Sequence, residues 1–457
     1  MRVDRVLNRR VGIVGLARSG LAAAKLIRRM GGKPFVSDVL PEEKLQKQVA
    51  ELRASDIPYE TAGHTRRLLD HSEFIVVSPG VPNDSPIILK AQALGIPIFS
   101  ELELSSWLCD ANLAAITGSN GKTTTTALLG RIFEAAGYEN AIAGNIGYPI
   151  SEVCDQISSD GWISLEVSSF QLERIFDFQP QIGVILNLTP DHLDRYGRFE
   201  DYAETKMRIA ENMTSSEYLI INADDEYLGS LAAQTQAKVI RFSQKQKLPM
   251  GIFLDNDRIV YNLAEKKGDL GLIKDIKIPG PHNVYNAMAA GAAALVAGIS
   301  ENTIKHVFRE FSGVEHRLEY VDTIAGVQFI NDSKATNVDS VWYALQSVSG
   351  QIVLIMGGRY KGGDLTRLEN LIRARVKHII LIGEAAEIMR KAFAETVELT
   401  GAGSLEEAVT FAFEIAAEGD TVLLSPACAS FDMFTDFEHR GRVFKDAVTI
   451  LKNRGQQ

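Results

Sequence analysis

The chain has 457 residues, 46% of them hydrophobic and 23% charged, the composition of an ordinary soluble globular protein, which argues against collagen, coiled coil and disorder. At roughly 150 residues per domain, this length predicts about three domains, each able to bury its own core. Forty-eight basic against 58 acidic residues leave a net charge of −10, which disfavours a nucleic-acid partner and leaves any anionic ligand to local clusters.

In chain order, the basic N-terminus MRVDRVLNRR is followed by an apolar run that Arg18 and Lys25 interrupt, a poor signal peptide. VGIVG, LARSG, LAAAKLIRRMGG and KPFVSD read as strand, turn, helix and strand, the opening of a doubly wound α/β sheet. The turn Gly15-Leu-Ala17-Arg18-Ser19-Gly20 is a degenerate dinucleotide fingerprint, and Asp38 falls where a ribose-binding acid would sit. FIVVSPG and IPIFSE continue the alternation.

The middle third carries the strongest signal. The strand at 113–117 runs into Gly118-Ser-Asn120-Gly121-Lys122-Thr123-Thr124 and then a helical stretch. A glycine loop opening a helix offers backbone N–H groups and a positive dipole end to phosphate. Lys122 can reach the β- and γ-phosphates of ATP, and the Thr123 hydroxyl is placed to ligate Mg²⁺. Relative to GxxxxGK[ST], position 116 is Ile rather than Gly, so the loop is a shortened form of that motif. Glu166 closes the apolar run WISLE, and His192 follows VILNL in TPDHLDR, so both lie near strand ends where α/β sheets gather ligands. Lys206, in DYAETKMRIAENM, reads from spacing alone as a solvated lysine.

Asn283 and Asn286 lie on one face of a helix at PHNVYNAMAA, suited to bidentate contact with adenine, with helix capping by Asn283 as the plainer alternative. The uncharged run from Asn283 to Ser300 is rich in Ala and Gly and reads as a helix buried in protein, not a membrane span. Beyond Gly313 four apolar strands (VQFIN, IVLIMGG, HIILIGE, TVLLSP) alternate with helical stretches, which predicts a further parallel sheet. Cys109, Cys154 and Cys428 are too few and too scattered for a disulfide framework or a zinc site, and a cytoplasmic location is expected.

GSNGKTTTT, LEVSSFQLE, TPDHLDRYG, PHNVYNAMAA, VEHRLE, INDSKATN, MGGRYKGGD and SPACASFDMFTDFEHRG, in this order with the Lys206 helix, resemble the Mur ligases of bacterial peptidoglycan synthesis. The resemblance implies three domains: a Rossmann-like one at 1–109, a P-loop-type ATPase at 110–312 and a Rossmann-like one at 313–457. It implies a reaction in which ATP phosphorylates the carboxylate of UDP-N-acetylmuramoyl-L-alanine and the amine of D-glutamate attacks the acyl phosphate. DNPR, usual in the diaminopimelate-adding member, is missing; Asn120 stands where the alanine-adding member usually has His; folylpolyglutamate synthases lack the first domain.

By the same resemblance, Thr123, Glu166 and His192 hold two Mg²⁺ ions, and Lys206 is carbamylated by CO₂ and serves the same metal site. Asn145 contacts the muramoyl substrate, Asn283 and Asn286 the adenine and ribose side, and Arg317 and Asp332 close on ATP. Lys334, Thr336, Lys361, Ser430 and Phe437 form the D-glutamate pocket. Arg18, Ser19 and Asp38 receive the UDP end, although Asp38 is followed by Val39-Leu40 where some relatives have Thr-Arg. The expected form is a monomer without membrane or nucleic-acid partners, hinged near 311–316. A nucleotide-binding regulator and a folate-type glutamate ligase are the competing readings.

Overall fold

A computed structural model describes residues 1–457 apart from 232–233, 265, 279 and 455–457. The α/β class holds, with three separate sheets along the chain. The first contains β1 (Arg10–Val14), β2 (Lys33–Ser37), β3 (Tyr59–Glu60), β4 (Phe74–Val77) and β5 (Ile98–Ser100), all parallel in the order β3-β2-β1-β4-β5. Helix α1 (Arg18–Arg29) leaves β1 through the glycine turn. Gly20 packs so closely on β1 that a Cβ there would overlap the Gly15 carbonyl, which is why this turn keeps its first and last glycines. Ala17 is the exposed N-cap of α1, a position that does not require glycine.

The second sheet holds β6 (Asn112–Thr117), β7 (Asn140–Gly144), β8 (Trp162–Glu166), β9 (Ile182–Ile185), β10 (Tyr218–Asn222), β11 (Lys238–Ser243), β12 (Gly251–Asp255), β13 (Arg258–Leu263) and β14 (Lys266–Leu272). Its order is β14-β13-β12-β11-β10-β9-β6-β8-β7, parallel from β7 to β12 and antiparallel at the β12–β13–β14 end. Strand β6 lies inside the sheet and is buried on both faces, as its uninterrupted apolar run requires. It feeds helix α2 (Lys122–Ala135). The Lys206 stretch is helix α3 (Phe199–Met207), and the Ala-rich stretch is α4 (Pro281–Val296). Burial of α4 from Ala287 to Leu295 confirms it as an interior helix. No helix among the described residues is long and apolar enough to cross a membrane.

The third sheet is β15 (Glu319–Ile324), β16 (Val327–Asn331), β17 (Ile352–Gly357), β18 (Val376–Ile382), β19 (Glu398–Gly401) and β20 (Thr421–Leu424), in the order β15-β16-β20-β17-β18-β19. Only the β15 edge is antiparallel. Two further helices matter below, α5 (Val338–Ser347) and α6 (Phe437–Arg454). The first sheet shares a continuous apolar core with the second through Trp107, Leu108, Ile150 and Ile163, whereas the third sheet packs into cores of its own.

Candidate active site

At the end of β6 the chain turns through Gly118, with φ +145°, and Gly121, with φ +87°, into α2. Both conformations favour glycine, and a Cβ on Gly121 would overlap Asn286 Oδ1. Asn187, just past β9, clamps the loop: the Asn120 amide donates to Asn187 Oδ1 at 2.8 Å, and Asn187 Nδ2 donates to the Asn120 carbonyl at 3.0 Å. Lys122 folds back so that its Nζ donates to the Gly118 and Ser119 carbonyls, each at 2.8 Å. Desolvation holds its ammonium below the usual lysine value. A phosphate arriving here would offer that cation stronger partners than two neutral carbonyls.

One cavity of about 290 Å³ opens over this loop. From the middle of the chain it is lined by Asn120, Gly121, Lys122, Thr123, Thr124 and Asn145, together with Glu166, His192 and Lys206. From the last third come Arg317, Lys334, Thr336, Lys361 and Phe437. Most of the residues singled out in the sequence therefore face one space. Gly118, at the start of the loop, is not part of its lining.

Glu166, the last residue of β8, is 1% exposed. Its Oε1 accepts from Asn145 Nδ2 at 2.8 Å, while Oε2 is buried without a protein partner. His192 sits seven residues past Ile185, farther from its strand than the sequence pattern indicated, in a left-handed conformation with φ +54°. Its ring lies edge-on to Phe170, 4.8 Å between centroids, and Nε2 is 3.7 Å from Asp191 Oδ2. Burial lowers its pKa despite Asp191, so at neutral pH the imidazole is neutral and able to ligate a metal. For Asp191 burial disfavours charge, but His192, Lys361 and Lys122 outweigh it and hold the carboxyl below its usual value.

The solvated reading of Lys206 is corrected by the structure. The side chain is 2% exposed, with Nζ 4.8 Å from the Tyr202 ring centroid and 3.4 Å from Thr117 Oγ1. Desolvation, with Lys122 adding repulsion, pulls its ammonium well below the ordinary value. Spacing could not show this, because the helix face that α3 turns inward is set by packing against the phosphate-loop region.

The capping alternative for Asn283 is also corrected. Gly280 is the N-cap of α4, and Asn286 Nδ2 donates to Asn283 Oδ1 at 2.9 Å beside the phosphate loop. In the last third, Arg317 Nη1 is 3.7 Å from Asp332 Oδ1. Asp332 is wholly buried, which pushes its carboxyl up to about 6 against the pull of Arg317. Lys334 stands over the Phe437 ring at 4.8 Å, its pKa lowered by desolvation. Ser430 is buried and does not line the cavity; its carbonyl accepts from the Phe434 amide at 2.8 Å.

The N-terminal candidates lie apart, at the carboxyl ends of the first sheet. Arg18 is exposed and Ser19 half-buried at the start of α1. Asp38 is buried and already accepts from the Leu16 amide at 2.6 Å and the Leu40 amide at 2.8 Å. It therefore braces the glycine turn, whatever else it contacts. Val39 and Leu40 are 62% and 42% exposed beside it.

Two groups escaped the sequence reading. Arg440 is fully buried on α6 and donates to Ser333 Oγ at 3.0 Å, the Ser333 carbonyl at 2.7 Å and the Cys428 carbonyl at 3.1 Å. It ties the DSKATN segment to the SPACAS segment. Asn337 and Ser340 on the last third reach Asp191 and Asn120. Arg440 and Asn337 fall inside motifs already quoted, whereas Ser340, three residues past DSKATN, carried no sequence signal.

Three mainly parallel sheets and a phosphate loop facing acids and cations define a nucleotide-using α/β enzyme. Three family models match in order: the Mur ligase MurD-like N-terminal domain at residues 9–100, the Mur ligase middle domain at 116–294 and the Mur ligase glutamate ligase domain at 316–428. A UDP-N-acetylmuramoylalanine–D-glutamate ligase of Acidobacterium capsulatum is 44% identical over 98% of this chain and 97% of its own length. One of Chloroherpeton thalassium is 42% identical over 99% of this chain and 100% of its own. Among solved structures, a pseudomurein peptide ligase type C from Methanothermus fervidus shares the fold, with a TM-score of 0.61 at 20% identity over 97% of this chain and 100% of that one. The chain belongs to the Mur ligase family, and it is an enzyme of the ligase class.

Proposed function

We propose that this enzyme joins D-glutamate to UDP-N-acetylmuramoyl-L-alanine at the expense of ATP, in the cytoplasm and as a monomer. The observation that carries the reading is the single cavity in which the phosphate loop of one unit meets the cations of another. Relatives at 42–44% identity over nearly their whole length support the choice of acceptor and amino acid.

The work falls to three units, 1–109, 110–312 and 313–457. The first takes the UDP end near Arg18, Ser19 and Asp38. The loop amides, the N-terminus of α2 and Lys122 hold the ATP phosphates, and Asn283 and Asn286 stand on the nucleoside side. Arg317, braced by Asp332, approaches from the third unit. The substrate carboxylate, oriented by Asn145, attacks the γ-phosphorus; the bond to ADP breaks and an acyl phosphate forms. Lys334, Thr336, Lys361, Ser430 and Phe437 place D-glutamate, a dicarboxylate that needs cations and donors. Its amine adds to the acyl carbon to give a tetrahedral intermediate, phosphate leaves, and an amide remains.

Two anions meeting in this way need positive charge between them. The donors here fit Mg²⁺: an orphaned Glu166 oxygen, a neutral His192 and the Thr123 hydroxyl. When bound, two Mg²⁺ ions would neutralise the phosphates and the attacking carboxylate. A carbamate on Lys206 would supply a further anionic ligand. Carbamylation requires a neutral amine, and the desolvation that depresses the basicity of Lys206 favours that form.

The test is phosphate release from ATP with each candidate acceptor and amino acid. Release is expected only when UDP-N-acetylmuramoyl-L-alanine and D-glutamate are both present. Release with a folate acceptor, or without D-glutamate, refutes the assignment.

A further inference from the structure

The third unit touches the phosphate loop directly. Ser340, 5% exposed on α5, donates its hydroxyl to Asn120 Oδ1 at 3.0 Å across 220 residues of sequence. Asn337 is the N-cap of the same helix, its Oδ1 accepting from the Ser340 amide at 2.9 Å. The other end of the same side chain, Nδ2, donates to Asp191 Oδ2 at 3.3 Å. One capping residue thus fixes where Ser340 points and also binds the acid beside His192.

The consequence lies at Asn120. Its backbone is held by Asn187 whether or not the third unit is present, because both partners belong to the middle unit. Its side-chain amide is different. Of the protein groups around Asn120 Oδ1, the Ser340 hydroxyl is the donor, and Nδ2 is buried without a protein partner on a residue that lines the cavity. A buried amide donor left unpaired is costly unless a ligand supplies the acceptor. A phosphate oxygen over the loop is such an acceptor.

We propose that Asn337 and Ser340 form a closure latch: docking of α5 turns the Asn120 amide so that Nδ2 donates to a nucleotide phosphate, and the phosphate loop is complete only when the third unit is seated. The inference rests on the ligase reading for its kinetics, but its geometry does not. Asn337 and Ser340 are positioning residues, acting through Asn120 and Asp191. Their value to a ligase is that ATP is cleaved only once the unit that carries the amino-acid pocket is in place, so that the acyl phosphate is not formed without its acceptor.

Ser340→Ala should lower kcat about tenfold, the scale of one lost hydrogen bond in the reacting complex, with KM for ATP unchanged within about twofold. Ser340→Thr, which keeps the hydroxyl, should recover most of the rate. In Asn120→Ala the Ser340→Ala change should have no further effect, because the two act as one unit. Asn337→Asp keeps a good helix cap and sets a carboxylate against Asp191; it should fold normally and lose closure. Closure is read separately by small-angle scattering with a non-hydrolysable ATP analogue, where wild type should contract and Ser340→Ala and Asn337→Asp should contract less. Additive losses in the double variant, a raised KM for ATP at unchanged kcat, or equal contraction in all forms overturns the latch. If wild type releases no phosphate with the two proposed substrates, the ligase reading fails while the scattering arm still decides the latch.

Discussion

Lys206 is 2% exposed, and desolvation together with repulsion from Lys122 outweighs the pull of Asp191 and Glu166 on its charge, with the Tyr202 ring centroid 4.8 Å away. Burial favours the neutral amine, and a carbamate would convert an unwelcome cation into an anion beside Lys122. Lys206→Ala should therefore lower phosphate release by roughly 100-fold, the upper range for loss of groups that support a metal ligand set. Millimolar formate or acetate should restore part of it by placing a carboxylate in the vacated space. Steady-state assays with and without the acid check this; a normal alanine variant would end the carbamate proposal. Legibility at this scale followed the type of signal. Lys122 and Glu166 were readable because a glycine loop and a strand end fix where such residues point. Lys206, Asp191, Ser340 and Arg440 were not readable from spacing, because each takes its role from a partner element 89 to 220 residues away that sequence periodicity does not encode.

Among the elements, the join between β6 and α2 is the most constrained. Gly121 combines φ +87° with a Cβ position already filled by Asn286 Oδ1 from α4. Gly121→Ala must both adopt a left-handed conformation, costing about 1–2 kcal/mol, and push Asn286 from its bond with Asn283. Nucleotide affinity measured by calorimetry should fall about tenfold or more, with the melting temperature little changed by comparison. An unaltered dissociation constant would mean that the loop tolerates the shift. The elements themselves were legible where apolar runs were long, as in β1, β6, β8, β17 and β18. The β12–β13–β14 end was missed because β14, KKGDLGL, has two lysines and two glycines and only one buried residue. Strand β15 was missed for a similar reason: as an exposed edge it needs no apolar stripe.

Across the whole molecule the three units are not held alike. The first is tied to the middle one by shared core and by the buried Glu103, which accepts from Trp107 Nε1 and from the Phe176, Asp177 and Phe178 amides at 2.8–3.0 Å. The third is held to the middle by a thinner polar seam: the Asn337 and Ser340 contacts and a patch where His282 of α4 meets Tyr343 and Ser347 of α5. His282 gives that seam a pH dependence. Burial, with Arg317 adding repulsion, pulls its imidazole down to about 3 from an ordinary value of 6.5. The closed protein thus binds no proton there between pH 6.5 and about 3, whereas an opened or unfolded chain does. Stability then rises with pH through this window: it is full above about 6.5 and is lost as the pH falls. At pH 5 the difference of about 1.5 units corresponds to at most about 2 kcal/mol, shared between opening and unfolding. Urea unfolding and scattering from pH 7.5 to 5 should show loss of stability and expansion in wild type. His282→Gln should start less stable and show a flatter dependence across the same range. Equal slopes in the two proteins would place the acid sensitivity elsewhere, in the other histidines whose burial likewise keeps them neutral, such as His192 and His316.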